Sequence, residues 1–216
     1  MTAGLRERRK QQTRQAISDI ATEMFLASGF DAVTISQVAE AAGVAKMTVT
    51  NYFPRKEDLV FDRADAIIRG LADTAAGRRP GESLLAAIRR DYAERIARAD
   101  VTLGLSNPAF AAMIAGSPVL TSRGLEITEQ RERALGDVIA AETGTDGVEE
   151  RLVAAQLASV HRVLYAEGSR RSLAGQPREQ ICAALAEAAG RAFDLLEPSL
   201  GGYGIRPAGG GASGRP

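Results

Sequence analysis

Tryptophan is missing from this 216-residue chain, aromatic residues make up 5% of it, and it holds one cysteine and one histidine. Each scarcity excludes something. A single cysteine, Cys182, cannot close an intramolecular disulfide or build a multi-cysteine zinc site. A single histidine, His161, has no carboxylates spaced to join it, so neither a metal nor a cofactor is expected. Few aromatics beside abundant alanine disfavour strands and favour helix. No apolar run approaches the roughly 20 residues that span a bilayer, and the N-terminus lacks a signal-peptide core. The expected place is therefore the cytoplasm, with no membrane partner. A net charge of zero argues against a general nucleic-acid coat. No Gly-x-Ser-x-Gly, P-loop or dinucleotide fingerprint is present, and Glu126, Glu129 and Glu132 fall on solvent-facing positions, so an enzyme is not expected.

What is present is an ordinary globular composition, 45% hydrophobic and 25% charged, with an uneven charge distribution. Up to Lys56 there are eight basic and five acidic side chains, a balance of +3. Five of the basic ones (Arg6, Arg8, Arg9, Lys10 and Arg14) lie in the first fourteen residues. A basic pole on a neutral protein fits phosphate contact through one small region, although a solvated, disordered N-terminus fits equally well.

Hydrophobic periodicity predicts helices throughout and no strands. Ile17, Ile20, Ala21, Met24 and Phe25 form one face of a helix over 11–28, which Gly29 ends. Thr34 and Gln37 make a capping box for a helix over 35–42, closed by Gly43. A second short helix follows from about Ala45, with Val49 and Phe53 inward and Met47, Thr50 and Asn51 on the opposite side. Pro54 stops it, and Arg55-Lys56-Glu57-Asp58 opens a longer helix carrying Leu59 through Leu71. After a linker at 77–81, helices are expected over 83–100, 108–115, 118–143, 148–173 and 178–196, separated by Gly- and Pro-containing breaks. The Gly- and Pro-rich tail, 201–216, is expected to be disordered. The expected domains are thus a DNA-binding unit over 11–56 and a helical unit over 57–200.

The segment Thr34–Lys56 carries the functional signal. Two short helices meet at a glycine turn, and the second has a small, polar exposed side with no acidic group. A helix-turn-helix places such a helix in the major groove of double-stranded DNA, its N-terminal residues on base edges. Asn51 suits adenine, Met47 gives apolar contact, and Thr48 and Thr50 suit phosphate or a thymine methyl. Lys46 and Lys56 can neutralise phosphates, and Thr34 with its helix N-terminus can cradle one.

The stretch from Thr13 to Leu59 resembles the DNA-binding domain of the TetR family. The resemblance rests on Arg14, Phe25, Gly29-Phe30, Thr34-Ile35, Val38-Ala39, Ala42-Gly43-Val44, Thr48, Tyr52-Phe53-Pro54, Lys56 and Leu59. Ala45 departs from the family's usual capping Ser or Thr, and Thr50 from a Tyr that contacts phosphate in many members. The resemblance adds Arg14 and Tyr52 to the expected DNA contacts. It implies an all-α chain: a three-helix head and a variable helical body whose last two long helices form a four-helix bundle in a homodimer. It also implies a repressor on a pseudo-palindromic operator, released when a small molecule fills the body. Residues 50–60 are further similar to a subgroup that senses acyl-CoA-like ligands, so such a molecule, or another apolar one, is the expected effector.

Within the body, Tyr92, Phe110, Met113, His161 and Tyr165 are the candidate ligand contacts; plain core filling explains each as readily. Cys182 is taken as packing. Arg89-Arg90 and Arg170-Arg171 are taken as solvated rather than anion-binding. Two rivals stay open: a helix-turn-helix protein with no small-molecule effector, and a helical enzyme or carrier with a vestigial head.

Overall fold

The computed structural model describes residues 2–207. Among the described residues all regular structure is helical: α1 (Thr2–Ser28), α2 (Ile35–Ala41), α3 (Lys46–Tyr52), α4 (Ala64–Ala76), α5 (Leu84–Ala97), α6 (Pro108–Gly116), α7 (Pro118–Thr143), α8 (Val148–Leu173) and α9 (Arg178–Leu200). Short 3₁₀ turns lie at Lys56–Leu59 and Val101–Leu103. The described residues divide into two compact units, 2–65 with 112–125, and 66–111 with 126–207.

The first unit, the head, is built on one apolar cluster. Ile17, Ala21 and Phe25 of α1, Val38 and Ala39 of α2, Val49 of α3, then Phe53 and Leu59 are all buried. Their spacing along α1 places them on one stripe, and the hydrophobic effect closes the two short helices onto it. The capping box forms as expected: the Gln37 amide donates to Thr34 Oγ1 (3.3 Å) and the Thr34 amide to Gln37 Oε1 (2.8 Å). Gly43, at φ +65°, makes the turn between α2 and α3. Its amide donates to the Glu40 carbonyl and that of Val44 to the Ala39 carbonyl, a Schellman ending that needs a left-handed residue. Ala45 precedes α3 and supplies no side-chain cap.

The longer helix expected from Arg55 does not form. A 3₁₀ turn ends at Leu59, and α4 starts only at Ala64. Side chains of α1 take the carbonyls that a continuous helix would use: Ser18 Oγ donates to the Leu59 carbonyl and Arg14 to that of Asp62. Asp58 is also committed, one oxygen accepting from the Arg55 amide and the other ion-paired with Arg123 at 2.9 Å.

The second unit, the body, packs α5, α8 and α9 around Tyr92, Leu157, Leu164, Leu185 and Phe193. Its segment Val101–Ser106 lies directly on α8. A Cβ on Gly168 would collide with the Leu103 carbonyl oxygen, so only glycine permits that approach. Ser172 Oγ donates to the Gly104 carbonyl and accepts from the Ser106 amide, which pins the segment in place.

Disorder was expected from Gly201, but 201–207 are ordered. The Leu84 amide donates to the Tyr203 carbonyl, the Gly81 amide to the Arg206 carbonyl, and the Arg206 amide to the Glu82 carbonyl. Arg78, 5% exposed, donates to the Gly204 carbonyl and forms a bidentate pair with Glu142. Composition could not reveal these partners, because they come from 76–84 and from α7. Positions 208–216 of the expected tail lie outside the described residues.

Candidate nucleic-acid interface and effector pocket

The candidate recognition surface follows from the amphipathicity of α3. Val49 and Phe53 are fully buried, which turns the other side of the helix outward. Met47 is 69% exposed; Lys46 and Asn51 are exposed beside it. Thr48, Thr50 and Tyr52 are partly exposed. Thr50 Oγ1 donates to the Met47 carbonyl (3.1 Å), leaving its methyl and lone pairs for a partner. Thr34 is exposed at the start of α2. These residues therefore sit on two short helices of one unit, without an acidic side chain on α3.

Two of the expected phosphate contacts are held differently. The Arg14 guanidinium lies 4.7 Å from the Phe53 ring centroid and also donates to the Asp62 carbonyl. It braces the end of α3 against the turn that precedes α4. The Lys56 ammonium sits 4.3 Å from the Phe30 ring centroid and 5.8 Å from that of Phe25, and donates to the Asp31 carbonyl. Both cations order the head's own aromatic cluster. The basic stretch Arg6–Lys10 is helical and exposed, as part of α1.

The body holds a narrow cleft of about 10 Å³, room for about one water molecule, lined by Ile67, Gly70, Leu71, Arg95, Thr102, Leu103, Arg131 and His161. His161 is 5% exposed and its Nε2 has no partner among the described residues. Burial, then the Arg131 and Arg95 charges, hold its pKa well below the ordinary histidine value, so the ring is neutral. Tyr92 packs edge-on against it, centroids 5.1 Å apart, with a buried hydroxyl that likewise lacks a protein partner. Burial pushes the Tyr92 hydroxyl pKa up.

Of the five candidate ligand contacts, the fold brings Tyr92 and His161 together. Phe110 and Met113 are half-buried on α6, Tyr165 is 37% exposed on α8, and none of the three lines the pocket. Cys182 is half-buried against the core. The arginines weighed as anion contacts are paired: Arg89 with Asp194, Arg90 with Glu82, and Arg170 and Arg171 with Glu167. Sequence reasoning missed Arg131, which looks like one charge in a solvated run, Glu129 to Arg133, yet is 8% exposed.

Residues 17–62 match the model of the bacterial regulatory proteins, tetR family. The HTH-type transcriptional regulator TcmR of Streptomyces glaucescens is 29% identical over 205 residues, which are 91% of this chain and 88% of TcmR. In that segment and along most of its length the chain is similar to TetR-family regulators. The head alone relates it to RutR of Escherichia coli K12, 36% identical over 72 residues, 33% of this chain and 32% of RutR. Solved structures agree on the fold. SmeT, in complex with triclosan, superposes with a TM-score of 0.55 at 16% identity, covering 95% of this chain and 99% of SmeT. NalD of Pseudomonas aeruginosa, a repressor of a multidrug efflux pump, gives 0.52 at 16% identity, covering 85% and 97%. Two further features bear on the chemistry of this protein. Among the described residues no helix is long and apolar enough to cross a membrane, and no group of three or more His, Cys, Asp or Glu could hold a metal ion.

Proposed function

We propose that this protein is a TetR-family regulator, a cytoplasmic, homodimeric repressor that binds a pseudo-palindromic operator through α3 and leaves it when a small molecule occupies the body pocket. It acts by binding, not by catalysis. The observation that carries the reading is the two-sidedness of α3: fully buried Val49 and Phe53 fix the helix, and Lys46, Met47 and Asn51 face out from it. Asn51 and Met47 read bases; Thr48, Thr50 and Tyr52 touch bases or phosphates according to register; Lys46 and Thr34 meet phosphates. Arg14 and Lys56 act mainly by holding the head's shape. Exposed apolar residues on the last two helices support the dimer: Leu152 (54%), Val163 (55%) and Leu195 (81%) need a cover that a second copy supplies through a two-fold interface. The narrow cleft marks where an effector enters a wider state of the body, and the effector changes operator affinity only by binding the DNA-competent and incompetent states unequally.

Footprinting of the full-length protein on the DNA upstream of its own gene tests this reading. Two protected half-sites about one helical turn, or a multiple of it, apart are expected from a two-fold dimer. Asn51→Ala should relax preference at one base pair by about 1–3 kcal/mol, whereas Lys46→Ala should weaken all sequences alike. Protection that neither substitution changes would rule out α3 as the reading element.

A further inference from the structure

We propose that Arg131 anchors a singly charged carboxylate on the small molecule that the body pocket takes. This rests on the effector-released reading above and assigns the chemical class of the effector.

The argument begins with the cost of a buried charge. An ionised group is tolerated inside a protein when a counter-charge or full hydrogen bonding replaces its water. The body follows this rule elsewhere: Arg78 is paired with Glu142, Arg90 with Glu82, Arg95 with Asp91 and Arg171 with Glu167. Arg131 breaks it. It is 8% exposed, its Nε has no hydrogen-bond partner, and no carboxylate of the described residues is ion-paired with it. Burial and the neighbouring Arg95 charge pull its pKa down to about 10, which leaves it protonated at neutral pH.

The surroundings define the missing group. His161 lines the same pocket with an unpartnered Nε2, and a neutral imidazole can offer one N–H there. Asp91 already answers Arg95 at 2.7 Å, so one positive charge in the pocket wall is left over, which suits a monoanion. A guanidinium presents a planar fork that matches a carboxylate in two parallel hydrogen bonds. Ile67, Leu71 and Leu103 complete the wall, so the group that carries the charge is organic and has an apolar part. Tyr92 packs edge-on against the imidazole.

The test is thermal unfolding of the full-length protein with benzoate and hexanoate, against benzamide and hexanamide as neutral counterparts of the same shape, and against inorganic phosphate. At least one carboxylate should raise Tm saturably, with its amide at least tenfold weaker and phosphate without effect. Which carboxylate acts distinguishes an aromatic from an aliphatic effector. Arg131→Gln should raise the Tm of the free protein, because it removes an unanswered charge, and abolish the carboxylate response. Arg131→Lys keeps the charge without the fork, and should weaken the response at least tenfold; it serves should Arg131→Gln fail to fold. The proposal is overturned by equal effects of acid and amide, by phosphate acting as well as the carboxylates, by no response to either carboxylate, or by a response that survives both substitutions. A mobility-shift arm on the upstream DNA separates the two readings. Operator binding without any carboxylate response sinks this inference alone, whereas a wild-type protein that binds no DNA sinks the repressor reading.

Discussion

Replacing Arg14 by alanine separates a brace from a phosphate contact. Its guanidinium makes a charged hydrogen bond to the Asp62 carbonyl and lies over the ring of fully buried Phe53. A hydrogen bond from a charged donor contributes about 1.5–3 kcal/mol and a cation–π contact about 0.5–2 kcal/mol. The side chain is half-buried, which favours the lower ends, and the two contacts share one group and do not add in full. Arg14→Ala should therefore destabilise the head by about 2 kcal/mol, which for a chain of this length lowers Tm by roughly 4–8 °C. Lysine should restore little, since it lacks the planar fork and stacking face. The assay is thermal unfolding by circular dichroism, beside operator affinity measured against salt. A brace lowers Tm and leaves the salt slope nearly unchanged at temperatures where the head is folded. The opposite pattern, an unaltered Tm with a log–log salt slope shallower by about 0.9, is that of a lost phosphate contact and would refute the reasoning.

Three further outcomes follow from the same geometry. Ala45→Ser should add the missing cap of α3 and raise the stability of the head by about 0.5–2 kcal/mol, read from urea unfolding. Gly168→Ala forces a methyl against the Leu103 carbonyl, so it should cost about 1–3 kcal/mol and speed amide exchange over 101–106. Acid should weaken the body in a defined window. Hydrogen bonds and charge from Arg90 hold the Glu82 carboxyl down at about 2, and Arg170 and Arg171 do the same for Glu167. Folded-state values below the ordinary 4.5 mean that this stabilisation is complete above about pH 4.5 and lost as pH falls through about 2. A pH–stability profile of Glu82→Gln should be flatter in that window than that of the wild type.

Much of the head was legible because its signals are local. The stripe of α1, the Thr34–Gln37 box and the left-handed Gly43 each depend on residues within a few positions, and all three form. The same holds for most helices of the body, whose breaks carry Gly or Pro. What was not legible depends on partners far away in the chain. Arg14 and Ser18 reach across some forty positions to interrupt the helix expected after Arg55. Arg131 stands in a run of charges that reads as surface; its burial is decided by the packing of other elements around it. The pocket likewise joins residues of α4, α5, α7 and α8, and only His161 among its lining residues drew attention in the sequence, as the chain's single histidine.

The clasp between 203–206 and 78–84 sets practical bounds on how this regulator can be engineered. A version cut at Leu200 would strip Gly81 and Leu84 of their acceptors and leave Arg78 without the Gly204 carbonyl. An affinity tag or fluorescent reporter joined directly to α9 would do the same damage, so any fusion belongs beyond Pro207, where the helical body keeps its own fastening.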